Sequence, residues 1–489
     1  MADGEGMMAR LRQLPPVATP ISINELLQCI SWNGHGPNEV HYFEETCSKR
    51  FGARYSMALS SGRAALTVIL RALKNMKGKN EVIIPAYTCP SIAASVVRAG
   101  LKVVLCDLAE SGLAYDIDYL KALITDDTLV IVCVHLVGCF TEMSDILKTA
   151  KDKGVIVIED MAQSAKTAVP DKIGIKGDIG FYSFGRGKNI ALGGGGLIAT
   201  DNKEYIEIFR RQIDLCRNEK RLLRGKWDNP LRGLLKNPIL SLRLRGEAEA
   251  GSNLSLRLLQ ALCAFAMTMG KFIKLFLYST FINPWFYFIP QHLPFLKLGE
   301  TLYSTDFEIG TFATINARLA ISVFPKLDAL NRSRRGKALF YRTALAGTKN
   351  VSLIDDAAGD VYLRFPIFVN NEESRERIYE EARRDGLGVT KMYPVTLDKI
   401  EGLAPHLSKK RRYPNAEKIS NSILTLPTHH WVREGDMVRI TTIIKRHLGK
   451  IEIASPRFPP SHFVLRRTGA KLAMTTGRRA GLNLPYDSR

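Results

Sequence analysis

The chain has 489 residues, of which 46% are hydrophobic and 24% are charged, and its formal net charge is +21. This composition argues for a globular protein with more than one domain, and against a disordered chain or a polytopic membrane protein. The positive charge is local, because residues 210–245 carry a net charge of +8 and residues 451–489 carry +5. These two segments indicate an anionic surface as their partner.

Cysteine usage and the N-terminal residues bear on the compartment. The eight cysteines are scattered, without a CxxC pair, and several lie in apolar runs. Core thiols of this kind are typical of a reducing compartment. Met1 to Pro16 carries acids, arginines and prolines without an apolar h-region, so no signal peptide is predicted. We therefore expect a cytoplasmic protein.

The first regular elements follow a lead-in of residues 1–40, in which a few apolar residues serve as anchors. Phe43–Phe51 is predicted to be a helix and Tyr55–Leu59 a strand, which ends at the small-residue turn 60–63 before a helix over Ala64–Leu73. A turn between a strand and a helix offers N–H groups and a positive dipole end to an anion. A serine N-cap explains the same turn equally well.

Short apolar runs then alternate with helical patterns up to residue 205. The predicted strands are Val82–Ala86, Lys102–Cys106, Val130–His135, Val155–Ile158 and Leu197–Thr200, and the predicted helices are Ser91–Arg98, Tyr119–Ile124 and Met143–Lys153. This alternation predicts a mainly parallel sheet that is covered by helices on both faces. Asp160 follows one of these strands, at the sheet edge where open α/β folds bind ligands, although a helix cap would place a carboxylate there too.

Residues 177–196 contain eight glycines, together with Ser183, Arg186 and Lys188. Glycine gives the backbone freedom and leaves little side-chain bulk. A lysine on such a loop can therefore be approached closely by a ligand. The alternative is a surface turn with a solvated lysine.

Residues 206–305 interrupt the pattern with a basic helical segment, the apolar run Leu258–Gly270 and a second run, Leu275–Leu296, without charged residues. The second run is long enough to span a bilayer, but its three prolines argue against one unbroken helix. Trp285 and Tyr287 are aromatic residues of the kind found at membrane interfaces. Residues 210–298 therefore predict a peripheral contact with the inner face of the membrane. The alternative is an insertion that packs on protein.

An α+β pattern resumes in residues 306–450 and predicts a smaller second domain. Predicted helices are Asn316–Leu330, Arg332–Leu345, Ser374–Asp385 and Glu434–His447, and predicted strands are Val361–Val369, Val389–Met392 and Ile423–Leu426. Residues 451–489 are basic and rich in proline, glycine and arginine, which predicts a flexible tail.

Seven motifs follow one another along the chain. They are SSGRAAL (60–66), VIIPAYTCPSIAASVVRAGLKVVLCDL (82–108), VHLVGCFTEM (134–143), VIEDMAQS (157–164), GDIGFYSFGRGKN (177–189), KMYPVTL (391–397) and LTLPTHHWV (424–432). In this order they resemble the DegT/DnrJ/StrS-type sugar aminotransferases, which are fold-type I enzymes that use pyridoxal 5′-phosphate (PLP). The resemblance covers residues 40–205 and 306–450, and it leaves out the insertion and the tail.

The resemblance implies an α/β fold in which residues 41–205 form a large PLP-binding domain with a mainly parallel mixed sheet. Residues 306–450 would form the smaller α+β C-terminal domain, and the apolar helical insertion would lie between the two. It also implies a homodimeric enzyme that moves an amino group from an amino-acid donor, typically glutamate, to a keto-sugar nucleotide in polysaccharide or glycoconjugate biosynthesis.

The same resemblance assigns roles to residues around the cofactor. Lys188 matches the lysine that binds PLP covalently and then serves as general base and acid. Asp160 matches the aspartate that pairs with the pyridine nitrogen and strengthens the electron sink. Gln163 matches the glutamine near the ring hydroxyl.

The phosphate of PLP would be bound by the backbone of Gly62, Arg63 and Ala64 at the start of a helix and by Ser183. Arg63 stands where the family commonly has threonine, and an arginine could pair with the phosphate instead.

Three positions depart from the pattern or leave alternatives open. Cys89 stands where an aromatic residue often stacks on the ring, and Tyr87 is nearby. The family segment that reaches the cofactor of the neighbouring subunit aligns poorly with Glu308 to Thr314, so the contribution of a second subunit stays open. His135 is expected to be a hydrogen-bonded core histidine more than a pocket residue.

Other functions remain as alternatives. In the PLP-dependent sugar dehydratases of the same fold the lysine position is usually histidine, so Lys188 argues against that branch. A non-catalytic membrane-associated or regulatory protein on a PLP fold is compatible with Cys89 and with the large insertion. A nucleic-acid partner is not expected, because the basic charge is confined to two segments and no nucleic-acid module is recognised.

Overall fold

The computed structural model describes residues 12–30, 38–165, 174–226, 270, 272–293, 303–357, 359–409 and 411–449. The predictions for most of the basic segment, for the first apolar run and for the tail 451–489 lie outside the described residues. The division into domains at residues 205 and 306 stays a prediction.

A seven-stranded mixed sheet forms the centre of the N-terminal part, in the order β1-β7-β6-β5-β4-β2-β3. Its strands are β1 Tyr55–Leu59, β2 Glu81–Pro85, β3 Lys102–Cys106, β4 Thr128–Val134, β5 Ile156–Asp160, β6 Ile179–Ser183 and β7 Gly196–Thr200. Five neighbouring strands pair in parallel, and β7 runs antiparallel to both β1 and β6. The predicted sheet, mainly parallel and mixed, is confirmed.

Helices follow the strands of this sheet and cover it. They are α1 Ile23–Ile30, α2 Glu39–Phe51, α3 Gly62–Lys77, α4 Pro90–Arg98, α5 Ile117–Leu123, α6 Ser144–Asp152 and α7 Lys203–Lys226. The sequence explains the start of α3, where Ser61 accepts a hydrogen bond from the Ala64 N–H as an N-cap. Residues from Ala64 to Leu73 are almost all buried, because α3 packs against the sheet.

A three-stranded antiparallel sheet, in the order β10-β9-β8, organises the C-terminal part. Its elements are α9 Thr314–Val323, α10 Leu327–Leu345, β8 Val351–Leu353, β9 Arg364–Val369, α11 Glu372–Arg384, α12 Pro414–Ser422, β10 Ile423–Pro427 and α13 Glu434–Leu448. The α+β pattern that the sequence predicts for this region is therefore present.

Three predictions about elements were wrong. Val389–Met392 forms no strand, because only Thr390 pairs with β10, through an isolated bridge to Thr425. The helix predicted over Asn316–Leu330 ends at Val323, and a 3₁₀ turn with Pro325 separates it from the next helix. The glycine-rich stretch is not a loop throughout, since its first part forms β6.

Residues 272–293 contain helix α8 over residues 272–281 and a short helical turn, Phe288–Gln291. Leu275 is buried against Gly193, where an added Cβ would lie 2.5 Å from Leu275 Cδ2. Several large apolar side chains of this segment remain exposed, namely Ile273, Phe276, Leu277, Trp285, Phe286 and Leu293. Among the described residues, no helix is long and apolar enough to cross a membrane.

Residues 12–19, before α1, run between three parts of the fold. The Gln13 N–H donates to the Pro284 carbonyl at 2.9 Å, and the Leu14 N–H donates to the Gly386 carbonyl at 2.7 Å. Leu14 and Thr19 are buried. The lead-in that the sequence predicts is thus an ordered strap, by which name we refer to residues 12–19 below.

Candidate functional site

Asp160 is the last residue of β5, at the carboxyl edge of the sheet. Its side chain is buried, and Oδ1 accepts a hydrogen bond of 2.8 Å from the Ala162 N–H, which is its one hydrogen bond within the described part of the chain. Burial raises the pKa of Asp160, and the charge of Lys188 opposes that shift. The structure therefore brings Asp160 and Lys188 together.

Lys188 lies in the irregular connection from β6 to β7, which is an antiparallel pair. Gly187 precedes it with φ at +72°, a left-handed conformation that glycine adopts without strain. Thr19 of the strap holds the connection on its other side, because the Ala191 N–H donates to Thr19 Oγ1 at 3.1 Å and that hydroxyl reaches the Lys188 carbonyl at 3.5 Å. The backbone at Lys188 is thus determined by the left-handed Gly187 before it and by the contacts with Thr19.

Gly62 and Ser183 meet at the start of α3. A Cβ added to Gly62 would lie 2.8 Å from Ser183 Cβ, so only glycine fits there. The first N–H groups of a helix have no acceptor within the helix, and here the Ala64 N–H donates to Ser61 Oγ at 3.1 Å. The N-cap that the sequence left as an alternative is present, and it occupies one of the three backbone groups predicted for the phosphate.

Gln163 lies next to Tyr393 of the C-terminal part. Gln163 Nε2 donates to Tyr393 Oη at 3.0 Å, and Gln163 Oε1 accepts from the Val137 N–H at 3.0 Å. Burial, together with the neighbouring Cys89 thiol, raises the pKa of Tyr393 well above its usual range. Gln163 and Cys89, which lie 74 residues apart in sequence, therefore both face the hydroxyl of Tyr393.

The aromatic environment at Cys89 comes from Tyr87 and Tyr393, whose ring centroids are 5.9 Å apart with the planes 62° apart. Tyr87 is buried, and its hydroxyl accepts from the Tyr393 N–H at 3.3 Å. The Cys89 thiol lies 2.8 Å from Ser91 Oγ.

His135 is buried at the end of β4 and belongs to the core, as the sequence predicts. Its Nδ1 accepts from the Thr141 N–H at 3.1 Å, so the proton is on Nε2, which donates to Glu159 Oε2 at 2.9 Å. Glu159 in turn accepts from the Gly177 N–H at 2.6 Å. This chain of hydrogen bonds fixes the turn before β6 and leaves His135 no free nitrogen.

The two other cations of these motifs, Arg63 and Arg186, have different surroundings. The Arg63 guanidinium stacks on the Phe307 ring, 4.7 Å from its centroid. Arg186 is exposed and lines a cavity next to the connection that carries Lys188.

Sequence reasoning assigned no role to Tyr393, Arg364 or Val137, although all three border the site. Tyr393 lies in the KMYPVTL motif, which was the one available signal for it. Arg364 begins β9, and its charge lowers the pKa of the buried Tyr393, although burial and Cys89 raise it more. Val137 has φ at +53°, a strained conformation for a β-branched residue, while its N–H is held by Gln163.

These residues provide a buried carboxylate, a lysine, a helix start and a serine, which is a set suited to a phosphorylated cofactor with a basic ring nitrogen. Among the described residues, no group of His, Cys, Asp or Glu could hold a metal ion.

Residues 22–264 and 310–445 match the model of the DegT/DnrJ/EryC1/StrS aminotransferase family. Among curated proteins, the chain is 32% identical to the spore coat polysaccharide biosynthesis protein SpsC of Bacillus subtilis, over 42% of this chain and 54% of SpsC. It is 26% identical to UDP-N-acetyl-3-dehydro-alpha-D-glucosamine 3-aminotransferase of Acidithiobacillus ferrooxidans, over 84% of this chain and 89% of that protein. The first curated relatives are matched over about half of their own length, 53% and 54%.

Solved structures show the same fold. PseC of Helicobacter pylori, an aminotransferase involved in the biosynthesis of pseudoaminic acid, superposes with a TM-score of 0.64 at 15% identity, covering 89% of this chain and 99% of PseC. DesI, solved in the presence of its TDP-sugar product, superposes with a TM-score of 0.63 at 18% identity, covering 89% of this chain and 92% of DesI. The segment 265–309, which contains residues 272–293, falls between the two family matches.

Proposed function

Because this chain belongs to the DegT/DnrJ/EryC1/StrS aminotransferase family, we propose that it transfers an amino group from an amino acid, with glutamate as the expected donor, to a keto-sugar nucleotide. The observation that carries the proposal is the buried Asp160 at the edge of the sheet, whose pKa is influenced by the charge of the nearby Lys188. The names of the relatives support a nucleotide-linked sugar as the acceptor. The product would serve polysaccharide or glycoconjugate biosynthesis.

PLP fits the residues that are present, and we propose it as the cofactor. Because Gly62 has no side chain, Ser183 can pack closely against the start of α3. The phosphate would bind at this helix start. Asp160 has one carboxylate oxygen engaged by Ala162, so the other remains for the ring nitrogen. Bound PLP supplies the electron sink that makes the Cα proton of the amino donor acidic.

The residues of the chain would then act as follows. Lys188 holds the cofactor by its Nζ and, when released, moves a proton as general base and general acid. Asp160 keeps the ring nitrogen protonated, since a carboxylate beside it favours the charged form. Gln163 and Tyr393 would orient the ring from the side of Cys89, since their side chains are already hydrogen-bonded to each other. Gly62 and Arg63 contribute their backbone N–H groups at the helix start, whereas the Ala64 N–H is already taken by the Ser61 cap.

The decisive experiment asks which lysine carries the cofactor. We expect purified protein loaded with PLP to be yellow, and borohydride reduction followed by peptide mass spectrometry to locate the cofactor on Lys188. Lys188→Ala should lose the colour and at least about 100-fold in activity with glutamate and keto-sugar nucleotides. Lys176→Ala, an exposed lysine upstream in the same stretch, is the control. Protein that takes up no PLP, or that carries it on another lysine, would contradict the proposal.

We also propose a homodimer that acts in the cytoplasm, with the segment 272–293 resting on the inner face of the membrane. The exposed apolar side chains of this segment, together with the basic α7, support the membrane contact. Light scattering on the intact chain measures the oligomeric state. A monomer would contradict the dimer without bearing on the chemistry at Lys188.

A further inference from the structure

A cavity of about 2210 Å³ lies beside the candidate site. Ser60 and Gly187 line it, and each is close in sequence to a residue of the site, Ser61 and Lys188. The opposite wall is formed by side chains of the segment 272–293, including Tyr278 and Tyr287. This segment lies between the two matches to the family model.

The cavity carries an excess of positive charge. Arg186, Lys274 and Arg364 line it, and the structure shows no ion pair for any of the three within the described residues. Arg364 donates to Thr390 Oγ1 at 2.8 Å and approaches Met392 Sδ, which are both uncharged groups. Burial lowers the pKa of Arg364, because removal of the guanidinium from water disfavours its charged form. An anionic ligand would compensate these charges.

Two tyrosines of the segment lie close to these cations. Burial raises the pKa of Tyr278 and of Tyr287, while the charge of Arg186 lowers both, so Arg186 is near both hydroxyl groups. Arg364 acts on Tyr287 in the same way. The hydroxyl of Tyr278 is shielded from solvent; the Gly187 N–H approaches its oxygen, and the described part of the chain offers no acceptor for the hydroxyl proton. A buried donor beside a cation is suited to an oxyanion.

Arg364 also connects the cavity to the candidate site. Tyr287 of the segment, and Tyr393 and Tyr87 next to the candidate site, are all close enough to raise its pKa. A ligand anchored at Arg364 and Arg186 can therefore extend toward Lys188. The remaining wall is apolar, with Leu277, Phe281, Ile282 and Leu293, and it offers room for a flat or hydrocarbon group next to the anion.

We propose that this cavity binds the diphosphate of the acceptor, with Arg186 and Arg364 as its cationic partners and the hydroxyls of Tyr278 and Tyr287 as hydrogen-bond donors. This inference rests on the proposed function and adds that the segment 272–293 selects the acceptor. The diphosphate is the group that these four side chains bind. The group attached to it, either a nucleoside or an isoprenoid chain, packs on the apolar wall.

The test measures binding by calorimetry to the PLP-loaded protein with three probes: UDP, farnesyl diphosphate and inorganic pyrophosphate. We expect wild-type protein to bind at least one of them. The dissociation constant should rise about tenfold in Tyr278→Phe/Tyr287→Phe and in Arg186→Gln, because each loses donors to a charged group. Tyr205→Phe and Arg377→Gln, outside the cavity, are the matched controls. A tighter complex with UDP identifies a nucleotide-linked acceptor, and one with farnesyl diphosphate a lipid-linked acceptor.

Absence of binding for all three probes, or binding that the cavity variants leave unchanged, would overturn the inference. Thermal unfolding checks that the variants fold, and Lys274→Gln on the surface of α8 provides a second, milder variant. The spectral change of bound PLP on addition of glutamate reports the donor half-reaction, which the tyrosine variants should leave intact. If that change is missing in wild-type protein, the proposed function fails, whatever the diphosphate probes show.

Discussion

Asp160 combines a position at a strand end with nearly complete burial, which is an unfavourable place for a charged carboxylate. Burial raises its pKa, and the nearby Lys188 only partly offsets the effect. Buried carboxylates with perturbed pKa values are more frequent at functional sites than elsewhere. We expect a buried carboxylate that lowers stability to be kept where the function needs its negative charge.

This reasoning predicts opposite effects on stability and on activity for Asp160→Asn. Above the raised pKa of folded Asp160 the carboxylate is charged in both the folded and the unfolded chain, so in that range the cofactor-free variant should be more stable than wild-type protein. The gain should shrink as the pH falls through the raised pKa of folded Asp160, and vanish below the pKa of the unfolded chain, about 3.9. Activity should drop on the order of 100-fold. Thermal unfolding at several pH values and steady-state rates measure both effects.

The exposed Asp145, changed to Asn, serves as the control for the loss of one negative charge. It should alter neither the stability profile nor the rate. An Asp160→Asn protein that is less stable than wild type at pH 8 would show that the carboxylate is held by favourable contacts. Unchanged activity would remove Asp160 from the cofactor site.

The sequence could predict the role of a residue only where that residue lies in a recognisable motif. Asp160 and Lys188 stand in contiguous motifs, and the structure places them together. Tyr393 reaches Gln163 only through tertiary packing of the C-terminal part, and no local pattern shows such a contact. The partner of Arg63 was equally hidden, because Phe307 is separated from it by almost half of the chain.

At the scale of elements, the sheet was predictable where strands consist of uninterrupted apolar residues. β3 agrees residue for residue with the run Lys102–Cys106. β6 was missed because Gly177 and Gly180 dilute its apolar pattern, although an added Cβ at Gly177 would lie 2.8 Å from the Val157 carbonyl oxygen of the neighbouring strand. Gly177 thus serves close packing against β5, and Gly180 serves close packing against Ile175, which a reading of local propensity cannot detect.

The strap, residues 12–19, is the second element that local patterns could not define, because its structure comes from contacts made by single atoms. His429 Nε2 donates to the Pro15 carbonyl at 2.7 Å, and Arg12 binds Asp436 at 2.8 Å. At its other end Thr19 Oγ1 accepts from the Ala191 N–H. The strap thus connects the C-terminal part with the connection that carries Lys188.

We predict that Thr19→Val destabilises the protein by about 1 to 3 kcal/mol, because the buried Ala191 N–H loses its acceptor while the volume of the side chain is kept. The connection with Lys188 should become looser, so the affinity for PLP should fall although no residue near the cofactor is changed. Urea unfolding and titration with PLP measure the two effects.

Thr19→Ser is the matched variant, since it keeps the hydroxyl and should recover most of the stability and the affinity. If Val and Ser variants behave alike, the methyl group and not the hydrogen bond holds the strap, and the role assigned to Thr19 is wrong. If stability falls without a change in PLP affinity, the strap supports the fold alone.

For the whole molecule, the segment 272–293 has two faces with different surroundings. Leu275 and Tyr278 face the cavity and the glycine-rich connection, whereas Phe276 and Trp285 are 41% and 40% exposed. The segment can therefore line the cavity with one face and contact the membrane with the other.

This arrangement predicts that the intact protein sediments with vesicles of phosphatidylglycerol and phosphatidylcholine at low salt, and less with phosphatidylcholine alone. Basic residues near an anionic surface contribute about 1 kcal/mol each, and this attraction is screened by salt. Phe276→Asp/Trp285→Asp should weaken binding at least tenfold, because two large apolar side chains, each contributing about 1.5 to 3 kcal/mol when buried, are lost.

Lys153→Asp is the control, because it changes the charge of the molecule by the same two units at an exposed site outside the segment. If it weakens binding as much as the double variant does, net charge alone drives the contact and the apolar face has no part in it. Wild-type protein that stays unbound at low salt would refute the membrane contact altogether. Since the exposed face does not line the cavity at Phe276 or Trp285, the double variant should still bind diphosphate, which separates the two roles of the segment.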